Sequence, residues 1–98
     1  MAVGIDFTAR DIQDEAKKKG LPWTSSKGRP GFAAIRNFIP LSVPAELELS
    51  VDGALRQRGS TRNMIFSVEK LIEHLDWTFG LSDGDLIFTG TPVGVGPV

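Results

Sequence analysis

The chain has 98 residues, 41% of them hydrophobic and 23% charged, a composition typical of one small globular domain or part of a larger one. The formal net charge is −1 and cysteine is absent. The composition therefore argues against nucleic-acid binding and excludes disulfides, thiolate metal sites and cysteine nucleophiles. No apolar run approaches the roughly 18 residues of a membrane-spanning helix, and "MAVGIDFTARD" does not read as a secretory signal. We therefore expect a cytoplasmic protein that binds neither membrane nor nucleic acid.

The first predicted elements are a short strand and an amphipathic helix. The apolar run "AVGID" predicts a buried strand that ends at Asp6. Thr8 can cap the helix that follows, in which apolar residues recur every three or four positions, and Gly20 is placed to end it. Pro22 then interrupts the pattern, so "WTSSKGRPG" is predicted to be a loop.

The second half of the chain predicts a hairpin, a helix and a last strand. "FAAIRNFI" is a candidate strand, and "LELSV" and "ALRQRG" flank Asp52 and Gly53, a dipeptide typical of a two-residue hairpin turn. Ser67 is placed to cap a second helix. Four apolar residues are expected to form the buried stripe of this helix: Val68, Leu71, Ile72 and Leu75. With "LIFTG" as a final strand, the pattern predicts an α+β fold that has two short helices and is richer in strand than in helix.

Three stretches of the sequence together resemble one protein family. They are "GIDFTARDIQDEAKKKGLPWTSSKG", "RQRGSTRNMIF" and "GDLIFTGTPVGVGP", and their order and spacing are more specific than any single glycine motif. They resemble the fumarylacetoacetate hydrolase family, and in particular its small acylpyruvate hydrolase and oxaloacetate decarboxylase-like members. The resemblance implies a mostly β fold, a mixed β-roll or sandwich with short helices, in a protein that forms a homodimer.

The resemblance also implies a metal-dependent reaction on a small 2-oxo acid. Family members bind Mg²⁺, or Mn²⁺ in its place, and act as hydrolases, decarboxylases or isomerases of acylpyruvate-type substrates. Cleavage of the C–C bond leaves negative charge on an enolate, and a hard cation held against the enolate oxygens stabilises that charge. Oxygen ligands, carboxylates above all, suit Mg²⁺.

Asp6 and Lys27 match two functional positions of the family. The resemblance implies that Asp6 is one of three metal-binding carboxylates, whereas its context alone equally allows it to end a strand and cap the next turn. Lys27 matches a lysine that supports the metal shell and stabilises the enolate, and the alternative is a loop lysine without such a role. "SS" before Lys27 and "GRPGF" after it depart from the family pattern, which leaves the substrate open.

The resemblance implies that Arg10 and Gln13 join Lys27 as catalytic residues, and that Thr91, with Gly90 before it, binds the substrate. Arg10 and Gln13 lie three positions apart on one predicted helix face and would reach toward the substrate or order the site; otherwise they belong to a solvated face. Thr91 matches a threonine that binds the substrate carboxylate. Gly90 would let the backbone approach the substrate closely.

Other motifs carry less. "GTPVGVGP" has neither a G-x-G-x-x-G order nor a G-K-[ST] end, so it does not predict a nucleotide loop. His74 has no partner for a metal site and is expected at the surface. Glu46 and Glu48 repeat the family's Glu-x-Glu pattern, but they lie in a predicted strand downstream of Asp6 and are not expected to bind the metal.

The family places its metal-binding Glu-x-Glu, and the histidine and glutamate that activate water, upstream of the block that contains Asp6. It also has strands beyond the last block. Residues 1–98 are therefore expected to form a partial catalytic domain. One carboxylate and a lysine would hold Mg²⁺ weakly or not at all, so whether the chain is itself an enzyme stays open. The alternative is a non-catalytic interaction or oligomerisation module.

Overall fold

The computed structural model describes all 98 residues and divides into two compact units, Met1–Leu41 and Ser42–Val98. Strands account for 19% of the residues and helices for 29%, which confirms the α+β class. Helix nevertheless exceeds strand, contrary to the expected balance, because a third helix forms within the predicted loop and no strand forms at "LIFTG". The elements in chain order are β1 (Gly4–Asp6), α1 (Arg10–Lys18), α2 (Thr24–Lys27), β2 (Ala33–Ile35), β3 (Glu46–Val51), β4 (Ala54–Ser60), a 3₁₀ turn (Thr61–Asn63) and α3 (Val68–Phe79).

In the first unit, β1 and β2 form an antiparallel pair. The pairing runs from Gly4 opposite Ile35 to Asp6 opposite Ala33. Beyond Asp6, the Phe7 N–H donates to the Phe32 carbonyl at 2.8 Å, and the two aromatic rings pack edge to face with their centroids 6.4 Å apart. The predicted strand ending at Asp6 is therefore present, and the backbone on both sides of Asp6 is held. The strand is not buried as expected, since Gly4 and Asp6 are exposed and Ile5 is half-buried.

Both ends of helix α1 are set by the backbone, without a capping side chain. Its N-cap is Ala9 and no side chain caps it, so the capping role expected for Thr8 is wrong. Gly20 does end the helix, because its φ of +64° is a conformation that glycine adopts without strain. The Gly20 and Leu21 N–H groups donate to the carbonyls of Lys17 and Ala16, which is the Schellman arrangement.

Helix α2 replaces part of the predicted loop. "TSSK" forms one helical turn because the N–H groups of Ser26, Lys27 and Gly28 donate back to Trp23 and Thr24 carbonyls. The Ser26 side chain is fully buried and donates to the Trp23 carbonyl at 2.7 Å. The Ser26 carbonyl in turn accepts from Ala9 N–H at 3.0 Å, which ties α2 to the start of α1. The proline-based prediction missed this turn because its bonds need no regular apolar pattern.

In the second unit, β3 and β4 form the predicted hairpin. Asp52 (φ 51°) and Gly53 (φ 79°) make the turn, and both residue types tolerate positive φ there. The register shifts between Leu49 and Ser50, which leaves Arg56 of β4 without a partner in the ladder. This irregularity is a β-bulge, a feature that changes the direction of neighbouring side chains.

Helix α3 is confirmed with its cap, since the Ser67 hydroxyl accepts from Lys70 N–H at 3.3 Å. The final strand predicted at "LIFTG" is absent, because no other strand pairs with this segment. The predicted buried stripe is only partly covered. Val68, Leu71 and Leu75 are half-buried, whereas Ile72 is exposed.

The hydrophobic core is very small. Ala16 is the one buried hydrophobic residue, and large side chains such as Ile65 (91% exposed) and Trp77 (85% exposed) lie open to solvent. No helix has both the length and the apolar character that crossing a membrane would require.

Candidate functional site

In the first unit, the structure brings Asp6 and Lys27 together. The Lys27 ammonium donates to Asp6 Oδ2 in an ion pair between residues 21 positions apart. The Lys27 side chain is about one third exposed (32%) and the Asp6 carboxylate is half exposed (50%). The second carboxylate oxygen of Asp6 has no protein partner, so this carboxylate can still meet a ligand.

Backbone contacts on both sides hold this ion pair in place. Asp6 is the last residue of β1 and faces Ala33 of β2. Lys27 is the last residue of α2, whose Ser26 is bound through its carbonyl to Ala9. The "SSK" sequence that departs from the family pattern thus still delivers the lysine to the carboxylate.

Arg10 and Gln13 form the second cluster of the first unit. Arg10 Nη1 donates to Gln13 Oε1 at 2.8 Å across one turn of α1. Gln13 is 3% exposed, whereas Arg10 is exposed. The shared helix face expected for this pair is therefore observed. The alternative, in which both residues lie on a solvated helix face, does not hold for Gln13, because its side chain is buried.

In the second unit, Gly90 and Thr91 lie in the segment after α3. Gly90 has a φ of +94°, a backbone conformation that favours glycine. An added Cβ would meet no atom within 4 Å, so close packing within the chain is not the reason for a glycine here. Thr91 is exposed, and its hydroxyl accepts a hydrogen bond from Gln57 Nε2 at 2.8 Å. The same Gln57 nitrogen also donates to the Pro92 carbonyl at 2.7 Å.

Comparison with known proteins identifies the family of the chain. The family model described as "Fumarylacetoacetate (FAA) hydrolase C-terminal" matches residues 1–97. The chain belongs to the fumarylacetoacetate hydrolase family. The family predicted from the three sequence blocks is therefore confirmed.

Two curated relatives of the chain are named as enzymes of oxaloacetate. The chain is 47% identical over 102 residues to "Oxaloacetate tautomerase FAHD1, mitochondrial" of Homo sapiens, covering 99% of the chain and 46% of that protein. It is 48% identical over 101 residues to "Oxaloacetate decarboxylase, mitochondrial" of Dictyostelium discoideum, covering 98% of the chain and 46% of that protein. The chain thus spans about half the length of the curated relatives it matches.

A solved family structure shares the fold. The chain is similar to fumarylpyruvate hydrolase from Pseudomonas aeruginosa, solved in complex with Mn²⁺ and pyruvate. The TM-score is 0.91 at 39% identity, over 99% of the chain and 44% of that protein. The structure of that enzyme thus shows a divalent metal and a 2-oxo acid in the family.

The predicted cytoplasmic location is wrong by these comparisons. The names of the human and Dictyostelium relatives both place those proteins in mitochondria. Composition misled the prediction, because the absence of cysteine and the balanced charge are equally compatible with several compartments.

The chain offers one candidate metal ligand among the predicted site residues. Asp6 supplies a half-exposed carboxylate, the donor type that Mg²⁺ and Mn²⁺ prefer. No group of three or more histidine, cysteine, aspartate or glutamate residues lies close enough to hold an ion. Asp6 therefore fits as one ligand of a divalent cation, and the chain's own residues do not form a complete set.

The other acidic motif is occupied by hydrogen bonds within the hairpin. Glu46 accepts from the Ser60 hydroxyl at 2.5 Å, and Glu48 accepts from Arg58 Nε at 2.7 Å. Both pairs lie across β3 and β4, which agrees with the expectation that Glu46 and Glu48 do not bind the metal. His74 lies in a shallow depression with Lys70, Glu73 and Trp77, on one face of α3.

Sequence reasoning missed Gln57 and Ser26. Both are polar and buried, at 9% and 0% exposure. For Gln57 a signal was present: alternation along β4 places it on the opposite face from Arg56 and Arg58. For Ser26 no such signal exists, because its burial depends on a contact with the distant start of α1.

Proposed function

We propose that this chain contributes to a divalent-metal-dependent enzyme that acts on a small 2-oxo acid of the acylpyruvate type, including oxaloacetate. The reaction would be C–C bond hydrolysis, decarboxylation or tautomerisation through an enolate. The observation that carries the proposal is the Asp6–Lys27 ion pair, in a chain whose relatives are named for oxaloacetate chemistry. Since those names place the relatives in mitochondria, we infer the same compartment.

In this proposal Asp6 and Lys27 have different roles. A divalent cation, Mg²⁺ or Mn²⁺, would supply positive charge to the enolate oxygens. Asp6 would be one of its ligands, with the further ligands coming from outside these residues. Lys27 would place a second positive charge beside the same oxygens, where it stabilises negative charge that develops during the reaction. The ion pair supports these roles because it orients the lysine before a substrate arrives.

The remaining predicted residues would bind or order the substrate. Arg10 would present its guanidinium to an anionic substrate group, and Gln13 would hold Arg10 in place through the 2.8 Å hydrogen bond. Thr91 would donate its hydroxyl hydrogen to the substrate carboxylate. Gly90 would allow the turn that presents Thr91, as its positive φ supports.

A second candidate function is a non-catalytic module that associates with itself. The incomplete ligand set favours it, as do the exposed apolar side chains, which would be covered in an oligomer. We propose a homodimer for either function, because β1–β2 and β3–β4 are two-stranded sheets whose outer edges remain free to pair.

The deciding experiment measures oxaloacetate turnover by the chain, and by the longest natural polypeptide that contains it. The loss of the enol form and the appearance of pyruvate are followed separately, with Mg²⁺, with Mn²⁺ and with a chelator. The enzymatic proposal predicts metal-dependent turnover that Asp6→Asn and Lys27→Met each reduce by about a hundredfold or more.

Matched controls are Asp14→Asn and Lys18→Met. Asp14 is exposed, and Lys18 forms an exposed ion pair with Glu15 on α1. Both controls should leave turnover unchanged. If both polypeptides associate but show no turnover with either metal, the interaction module is the correct reading.

A further inference from the structure

Gln57 of β4 is held in an unusual position for a polar residue. It is 9% exposed, while its neighbours Arg56 and Arg58 are exposed. The β-bulge that leaves Arg56 unpaired lies directly before it. A buried polar side chain in a strand must form hydrogen bonds to offset its lost hydration. Gln57 forms them with Thr91 and Pro92.

The hydrogen-bond partners of Gln57 show which group of its side-chain amide, the oxygen or the NH₂, faces them. The Pro92 carbonyl oxygen can only accept a hydrogen bond, so the group 2.7 Å from it must be the NH₂ group of Gln57. The same NH₂ group lies 2.8 Å from Thr91 Oγ1. Both hydrogens of the amide are thus used, one on each oxygen, and the Thr91 oxygen acts as the acceptor.

This assignment determines what the Thr91 hydroxyl can do. Its oxygen accepts from Gln57, so its hydrogen must point elsewhere, and Thr91 donates to no group of the chain. An exposed hydroxyl held as a donor is complementary to an acceptor such as a carboxylate, and a hydrogen bond to a charged acceptor is stronger than one to a neutral group.

Two glycines allow the segment that contains Thr91 to pack closely against β4. A Cβ at Gly59 would lie 2.8 Å from the Pro92 ring, and a Cβ at Gly94 would lie 2.1 Å from the Arg56 carbonyl oxygen. The segment from Thr91 to Gly94 therefore packs against β4 on both sides of Gln57. The Thr91 hydroxyl is therefore held against strand β4.

We propose that Gln57 is a positioning residue that holds the Thr91 hydroxyl as a hydrogen-bond donor to the carboxylate of a 2-oxo acid. The inference rests on the proposed function for its ligand class, but it concerns binding and not turnover. Gln57 does not touch the ligand and acts through Thr91. Its removal should therefore weaken carboxylate binding only while the threonine hydroxyl is present.

The test measures the affinity of the chain for pyruvate with Mn²⁺ present, and for methyl pyruvate, which lacks the charged carboxylate. Thr91→Val should weaken pyruvate binding roughly tenfold, and Gln57→Leu should weaken it roughly fivefold. The double variant should bind no more weakly than Thr91→Val alone, because both substitutions remove one interaction. Affinity for methyl pyruvate should change little, and Arg58→Leu on the same strand should match the unsubstituted chain.

A ligand-free measurement covers the case in which Gln57→Leu does not fold. In the unsubstituted chain, both side-chain amide hydrogens of Gln57 should exchange with solvent more slowly than those of the exposed Asn63, as seen by NMR. Equal exchange rates overturn the proposal. So do additive losses in the double variant, unchanged affinity in Gln57→Leu, or an unsubstituted chain that does not bind pyruvate. Turnover of oxaloacetate, which tests the proposed function, is measured separately and can succeed or fail independently.

Discussion

At the scale of single residues, the chain sorts its polar groups into two kinds. Gln13, Ser26 and Gln57 are buried and bound, and they order the backbone or another side chain. Asp6 and Thr91 are accessible, and each retains unused hydrogen-bonding capacity. Within each unit, the chain thus separates side chains that position their neighbours from a side chain that is still available for further hydrogen bonds.

Substitution of Lys27 and Asp6 should separate charge stabilisation from metal binding. Lys27→Met removes the ammonium but leaves the carboxylate, so we expect turnover to fall about a hundredfold while Mn²⁺ affinity is unchanged or tighter. Asp6→Asn should weaken both. Mn²⁺ binding is measured by electron paramagnetic resonance, with Asp14→Asn as the control. Equal loss of Mn²⁺ affinity in both variants would contradict the separate roles.

At the scale of elements, local bonds determine where helices and strands begin and end. Ser67 illustrates this for α3, since its hydroxyl accepts from Lys70 N–H. We expect Ser67→Ala to lower the free energy of unfolding by about 1 kcal/mol, because one N–H group loses its partner. Ser82→Ala in the loop after α3 is the control, as its hydroxyl forms no hydrogen bond within the chain. Denaturant unfolding of both variants measures the difference.

Glu69 in the first turn of α3 should make this helix sensitive to acid. A hydrogen bond from its own backbone N–H, with a smaller contribution from Ser67, holds the pKa of Glu69 below its ordinary value of 4.5. A lowered folded-state pKa means that this stabilisation is present above the unfolded-state pKa and is lost as the pH falls through the folded-state pKa. NMR titration should show a partial rise of the Glu69 pKa in Ser67→Ala, since the larger cause remains. A full return to 4.5 would contradict this order of causes.

Gly94 should be far less tolerant of substitution than Gly96. Its φ is +101° and an added Cβ would meet the Arg56 carbonyl oxygen, whereas Gly96 has open space and no positive φ. We expect Gly94→Ala to destabilise the second unit by about 1–3 kcal/mol, and Gly96→Ala to have almost no effect. Equal midpoints of denaturant unfolding for the two variants would show that the contact with β4 does not form in solution.

At the scale of the whole molecule, the small amount of buried apolar surface limits the stability of the fold. With Ala16 as the one buried hydrophobic residue, little apolar surface is removed from water to offset the entropy of folding. We expect the chain to associate as its concentration rises, because an interface would cover side chains such as Ile65 and Phe66. Sedimentation velocity over a wide concentration range measures this, with Ile65→Ser and Phe66→Ser expected to shift the equilibrium toward monomer. A monomer at every concentration would exclude the proposed homodimer.

The sequence by itself determined the family, the α+β class and the local elements whose signals lie within a few residues. Gly20, Ser67 and the Asp52–Gly53 turn were predicted correctly because a cap or a positive φ depends on one or two neighbouring side chains. The matched blocks also identified Asp6 and Lys27 as candidate site residues, but they did not show that the two side chains form an ion pair.

Only the tertiary structure decided which of these residues meet. Helix α2 was missed, and the strand expected at "LIFTG" does not form, because a strand needs a partner that local sequence does not specify. The burial of Gln57 and its bonds to Thr91 and Pro92 join residues more than thirty positions apart. Such contacts depend on how separate segments pack together, so the amide that orients the threonine was visible only once the chain was folded.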